Sequence, residues 1–306
     1  MESHTLIGDA RVRGARMTER GLREFFQGTY RPLRLRGRSP DTCRLYENTI
    51  TQFDRFLERS SAISDLDELV ISRYLEYRGE TRSPYTAEKE RNQLMALARC
   101  AWERRLIDVM PSVPPSRLPT RVPTAWSVDQ LRSLISHAKI AVGRIGDVHA
   151  CVFWPALVMT LWQSAERIGA IMSVPKCDYR RPTILVRAEY RKGGKRDKLY
   201  SLSSETCDML DVLVESKNGD QLFDWPLDRL YLWQRFGKLI DAAGLGGGKR
   251  CKFHQLRRSA ATHFLAAGGD PTSLLDHSSP RVTKAYIDPR FIDSGPRPVD
   301  ILPQIT

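Results

Sequence analysis

The reading turns on one stretch near the C-terminal end. It runs His254-Gln255-Leu256-Arg257-Arg258-Ser259-Ala260-Ala261-Thr262-His263-Phe264-Leu265, then Gly268, then Leu274-Leu275-Asp276-His277-Ser278-Ser279-Pro280, and ends at Tyr286. Each piece falls where a helix starts or turns. His254 and Arg257 lie three apart at a helix start and project from one face, so both can address a single anion. Leu256 and Phe264 are expected to face the core, and Ser279-Pro280 to cap a short helix carrying Tyr286 near its end. His263, one turn past Ser259, reads as structural. Taken singly, an arginine such as Arg167 is more often a surface residue, and a tyrosine such as Tyr286 at a helix end is usually a half-buried packing residue. Their joint order and spacing lift the reading.

The rest of the chain bounds the function. With 306 residues and 41% hydrophobic residues, it can build one large domain or two of ordinary size. Lys plus Arg number 48 against 36 Asp plus Glu, a formal charge of +12, and the isoelectric point is near 9.6. That balance points to a polyanionic partner, nucleic acid foremost. The longest apolar run, Ala150 to Trp162, contains Pro155 and falls short of the roughly 20 residues a membrane span needs. The N-terminal MESHTLIGDARVRGAR lacks the apolar segment of a secretory signal, which predicts a cytoplasmic location. Six cysteines are scattered without Cys-x-x-Cys or metal-ligand spacing, so reduced thiols are expected and neither zinc nor a disulfide framework.

Residues 1–19 read as a basic arm, either a DNA contact or a solvated tail. Residues 20–110 read as an all-helical domain. Its helices begin at Ser39-Pro40, Ser64 and Ser83-Pro84, with apolar faces that include Ile50 and Phe53, Val70 and Tyr74, and Leu94 and Leu97. Residues 111–126, rich in proline, form an extended connector whose Arg117 and Arg121 either follow a phosphate backbone or are simply solvated. Ser127 and Gln130 then make a capping box that opens a second domain, residues 127–290. That domain is expected to be mostly helical with one small antiparallel sheet. Its strands, Thr183 to Ala188 and Leu199 to Leu202, flank the turn Arg191-Lys192-Gly193-Gly194-Lys195. The aromatic residues Trp162, Phe223, Trp225 and Trp233 are expected in the core or an interface. Residues 291–306 form an apolar tail that either packs on a neighbouring subunit or folds back on its own domain.

The C-terminal stretch resembles the tyrosine recombinase, or phage integrase, family. With that family in view, Ser164-Ala165-Glu166-Arg167-Ile168-Gly169-Ala170 resembles its first arginine motif, and the 191–195 turn resembles the hairpin that presents its lysine. The resemblance implies a mainly α protein: an all-helical DNA-binding domain, then a mixed, mostly helical catalytic domain, together clamping double-stranded DNA. It implies a site-specific recombinase acting through a 3′-phosphotyrosine intermediate, with Tyr286 the nucleophile and Arg167, Arg257, His254 and His277 around the phosphate. Lys192 is expected as the acid for the leaving 5′ oxygen, with Lys195 as rival, and Arg191, Lys195 and Arg258 as further DNA contacts.

This set suits phosphoryl transfer without metal, ATP or other cofactor. Guanidiniums stabilise charge on nonbridging oxygens in a fixed bidentate geometry, and a phenol with a pKa near 10 must lose its proton before it attacks. The resemblance also implies a homotetramer on paired sites, accessory DNA-bending or directionality proteins, and a bacterial or mobile-element setting. Two departures stand out. Ala170 occupies a position usually acidic, and Asp276 one usually glycine; Glu166 or Asp276 is the expected substitute support for Arg167. A type IB topoisomerase-like enzyme and a DNA-binding protein with a decayed site are the alternatives.

Overall fold

Ser39, Ser83 and Ser127 each stop an extended segment and start a helix, their hydroxyls accepting the backbone N–H of Thr42, Thr86 and Gln130. Proline follows two of them at the first helical position, where its missing N–H costs nothing. The computed structural model describes residues 20–193, 196–217, 219–246 and 252–292. The chain divides into two compact units between Thr120 and Arg121, inside the proline-rich stretch.

In the first unit a helical lead-in runs through Leu22–Phe25, a π-helical Phe26–Tyr30 and Arg31–Arg34. It is followed by α1 (Pro40–Leu57), α2 (Glu68–Thr81) and α3 (Pro84–Glu103). Phe25, Phe26, Ile50, Phe53, Ile71, Tyr74, Leu94 and Leu97 close its core. Within that core Glu90 of α3 accepts from Arg78 of α2 through both carboxylate oxygens, each at 2.7 Å, and from the Tyr74 hydroxyl at 2.8 Å. The start of the proline-rich stretch is fastened to this unit: Ser112 and Ser116 donate their backbone N–H to Glu68 and Glu88, and Val113 is buried.

The second unit opens with α4 (Val128–Lys139) and a hairpin, β1 (Arg144–Ile145) with β2 (Val148–His149). The apolar run then forms α5 (Ala150–Ser164), with Phe153, Trp154, Leu157 and Leu161 buried along its length. After α6 (Ile168–Ile171) comes a three-stranded antiparallel sheet of β3 (Tyr179–Arg180), β4 (Thr183–Val186) and β5 (Lys198–Ser201), with Ile184 paired to Tyr179 and to Tyr200. The strand read as reaching Ala188 ends at Val186, because residues 188–190 turn into a 3₁₀ segment. Then follow α7 (Ser204–Glu215), α8 (Arg229–Ala242), α9 (Lys252–Ala266), α10 (Pro271–Leu275) and α11 (Pro280–Lys284).

Leu256 is fully buried against α5, as the sequence predicts, but Phe264 is 43% exposed. The two residues lie eight apart, and the helix period has carried Phe264 off the buried face. Among the described residues no helix is long and apolar enough to cross a membrane.

Candidate active site

The chain returns repeatedly to one corner of the second unit. Ala165, Ala260, Ala261 and Leu275 form a small apolar cluster there, with Tyr286 and Ile287 packed on it. Small side chains let α9, α10 and the α5–α6 junction approach closely, and three of the functional candidates stand at these junctions. Arg167 is the N-cap of α6, His277 follows the left-handed turn at Asp276 after α10, and Tyr286 lies just past α11. Ser279 precedes α11 without a side-chain capping bond, and Tyr286 sits in the turn beyond that helix, not within it.

Three of the predicted residues pack around Tyr286. Its ring lies 5.0 Å from the His254 ring and 4.7 Å from the His277 ring, centroid to centroid, and the Arg257 guanidinium carbon is 5.8 Å from its centre. The segment is held by Thr262 of α9, whose hydroxyl donates to Tyr286 O at 3.4 Å and accepts from Asp288 N at 3.1 Å. Asp288 also accepts the backbone N–H of Ala125 at 2.8 Å. Thr262 and Asp288 were not singled out from sequence; Asp288-Pro289 is a turn-initiating pair that marks the position.

Arg257 is 2% exposed. One terminal nitrogen donates to Ala165 O, the other to Leu275 O at 2.8 Å, so the backbone of two junctions locks the guanidinium. Burial and the neighbouring Arg167 charge pull its pKa down to about 10, which still leaves it cationic near neutrality. Burial and the adjacent arginines lower both His254 and His277 to about 4, so both imidazoles are neutral at pH 7. His277 Nδ1 lies 3.1 Å from the Thr283 hydroxyl. His277 Nε2, Arg257 Nε and Arg258 Nε are buried polar atoms without a protein partner, all near this corner. Such atoms are costly to bury unless a ligand completes them, and an anion accepting N–H bonds would complete the two arginines.

Glu166, an expected substitute support for Arg167, reaches the backbone of that residue. Its buried carboxylate accepts the Arg167 backbone N–H at 3.1 Å and the Tyr200 hydroxyl at 2.8 Å, and lies 3.8 Å from Arg257. The position read as usually acidic, Ala170, is instead buried in the apolar core. Asp276 keeps a left-handed conformation, φ 55°, and pairs with Arg191 at 3.0 Å.

The remaining candidates are placed as follows. Lys192 is exposed at the start of the hairpin turn, and Lys195 lies outside the described residues. Arg191, expected to touch DNA, has a side chain only 1% exposed and is bound to Glu166 and Asp276, so it cannot serve as a surface contact. Arg117 and Arg121 are exposed and Arg258 is half-buried. His263 bonds Trp126 O at 2.9 Å and packs against Trp162 and Phe291. Phe291 thus folds onto its own unit, while residues 293–306 of the tail and the arm 1–19 lie outside the described residues.

The family model described as the phage integrase family matches residues 127–291, more than half of the chain. No curated protein sequence matches. Among solved structures, the chain is similar to a lambda integrase (75-356) dimer bound to a COC′ core site, at 18% identity and TM-score 0.69, covering 88% of this chain and 96% of that one. It is similar to a lambda integrase tetramer bound to a Holliday junction, at 16% identity and TM-score 0.70, covering 91% and 81%. A third likeness is to XerH site-specific recombinase bound to palindromic difH substrate, at 16% identity and TM-score 0.65, covering 82% and 77%. The chain belongs to the phage integrase family. Its class is that of the tyrosine recombinases, enzymes of site-specific recombination that cut and rejoin DNA strands.

Proposed function

We propose that Tyr286 attacks a DNA phosphodiester held by Arg167 and Arg257, forming a 3′-phosphotyrosine and releasing a 5′ hydroxyl. The observation carrying this reading is the packing of the Tyr286 ring against Arg257, His254 and His277 of the same chain. The 5′ oxygen is displaced in line from phosphorus as negative charge spreads over the nonbridging oxygens, where fixed guanidiniums act with little reorganisation. His254 and His277, neutral near pH 7, can accept the phenol proton as imidazolium could not. His277 also hydrogen-bonds a phosphate oxygen once protonated. Lys192 protonates the leaving 5′ oxygen. The bond energy stays in the adduct, and attack by another strand's 5′ hydroxyl reverses the step without ATP.

The substrate is double-stranded DNA, bound through both units, the proline-rich stretch with Arg117 and Arg121, and Arg258. Its affinity is expected to fall steeply with salt as phosphate counterions are released. A homotetramer on paired sites is the working assembly, supported by the likeness in fold to the tetrameric lambda integrase.

The test incubates wild type and Tyr286→Phe with nicked suicide duplexes drawn from DNA flanking the gene, in EDTA and without ATP. A protein–DNA adduct that survives denaturant, disappears with protease and is absent from the Phe variant is expected. Tight, salt-sensitive binding with no adduct would overturn the reading in favour of a binding protein.

A further inference from the structure

Three residues that form one ion network each immediately precede a functional candidate in the chain. Glu166 precedes Arg167, Arg191 precedes Lys192, and Asp276 precedes His277. Arg191 stands at the centre. Its Nε donates to Glu166 Oε1 at 2.5 Å, and its Nη1 donates to Asp276 Oδ2 at 3.0 Å and to Arg196 O at 3.1 Å. The last bond crosses the base of the hairpin turn, and a second, from Ala188 N to Asp197 at 2.8 Å, closes it one step further out. Glu166 and Arg191 are both buried, and the Arg191 pKa is nevertheless held above its ordinary value. Burial alone would lower that pKa; the Glu166 charge and hydrogen bond, with Tyr200 and Asp276, more than offset it.

We infer that the Glu166–Arg191–Asp276 network is a positioning device that presents Lys192 to the leaving 5′ oxygen in register with Arg167 and His277. This rests on the reading of Lys192 as the acid. The network explains Asp276: it holds the left-handed turn without glycine's freedom, and its carboxylate supplies the bond to Arg191 that glycine lacks. It also explains why Arg191 is no DNA contact. A long, exposed lysine on an untethered turn samples many positions, whereas fixing the residue before it restricts where its amine can reach. During cleavage the Tyr286 oxygen bonds to phosphorus, the P–O5′ bond breaks, and the Lys192 proton passes to the departing oxygen. Misplacing a catalytic group by about 1 Å costs on the order of 100-fold in rate.

The test compares two nicked duplexes, one with an ordinary 5′-bridging oxygen at the cleavage position mapped by trapping, the other with sulfur there. A thiolate is a far weaker base than an alkoxide and leaves without a proton, so the sulfur substrate bypasses the acid. Asp276→Gly suits the left-handed turn and removes only the carboxylate; Arg191→Lys keeps a cation but loses the fork. Both are expected to cleave the oxygen substrate about 100-fold more slowly at unchanged DNA affinity, and the sulfur substrate at nearly the wild-type rate. Lys192→Ala is the reference and should show the same rescue more strongly. Wild-type cleavage of the oxygen substrate by both network variants, or equal losses on both substrates, would overturn the proposal while leaving the acid assignment intact. Failure of sulfur to rescue Lys192→Ala would overturn the acid assignment and the proposal with it.

Discussion

Each unit of the protein buries an arginine against a glutamate and a tyrosine, and the two sets end differently. In the first unit, the bonds of Arg78, Glu90 and Tyr74 begin and end on α2 and α3, and both Glu90 oxygens are occupied by these partners. In the second, Glu166 meets Arg191 and Tyr200 through one oxygen and turns the other to the Arg167 backbone and toward Arg257, while Arg191 continues to Asp276. Burial raises both tyrosines well above the ordinary phenol range, with the adjacent glutamate adding to it. The chemistry is the same. A bidentate pair between two helices fastens only those helices, whereas a branched one transmits position to every segment it touches.

The comparison breaks most sharply at the reacting groups. Arg257→Ala is expected to lower cleavage by about 100- to 1,000-fold in a single-turnover suicide assay while much of the DNA binding survives, as for loss of one charge-stabilising donor. Equal losses in both would assign Arg257 to structure. Next, Arg78→Met strands the Glu90 carboxylate and should cost the first unit about 3–5 kcal/mol in a urea titration. Adding Glu90→Leu should recover most of that cost, since an apolar pair can replace a buried ion pair. The matching double change, Arg191→Met with Glu166→Leu, is expected to recover stability but not cleavage, and full recovery of cleavage would erase the distinction.

A further effect follows from pH. His254 and His277 sit at about 4 in the folded protein against an ordinary 6.5, so between these values the unfolded chain binds protons that the folded one does not. Stability present above about pH 6.5 is therefore lost as pH falls toward 4, and replacing both residues with Gln should flatten that slope in denaturant midpoints measured across the range. Smallest of all, Ser83→Ala and Ser127→Ala, one helix cap in each unit, should each cost about 1 kcal/mol in thermal melts and leave cleavage unchanged.

Much of this was legible along the chain. Ser83-Pro84 and the Ser127–Gln130 box announce their helices because capping is a local matter of one side chain and the next turn's N–H groups. The candidate set was legible as an ordered motif whose spacing survives in sequence. Arg191 was misread because it lies in a basic turn, and nothing local marks one basic residue of such a turn as buried. Its partners are 25 and 85 residues away. Phe264 was misread because its spacing of eight from Leu256 carries it round the helix, away from the buried face. Thr262 leaves no pattern of its own, and the Asp288-Pro289 pair marks a turn without showing which backbone groups the carboxylate braces.

Residue order and local periodicity suffice for the family, the helical character and the candidates Tyr286, Arg167, Arg257, His254, His277 and Lys192. Which charges are buried, and what each of them holds, emerges from the folded chain alone. Burial and long-range pairing are properties of packing, and a carboxylate beside Arg167 becomes a strut for Arg191 only when the hairpin and the α10 turn close around it.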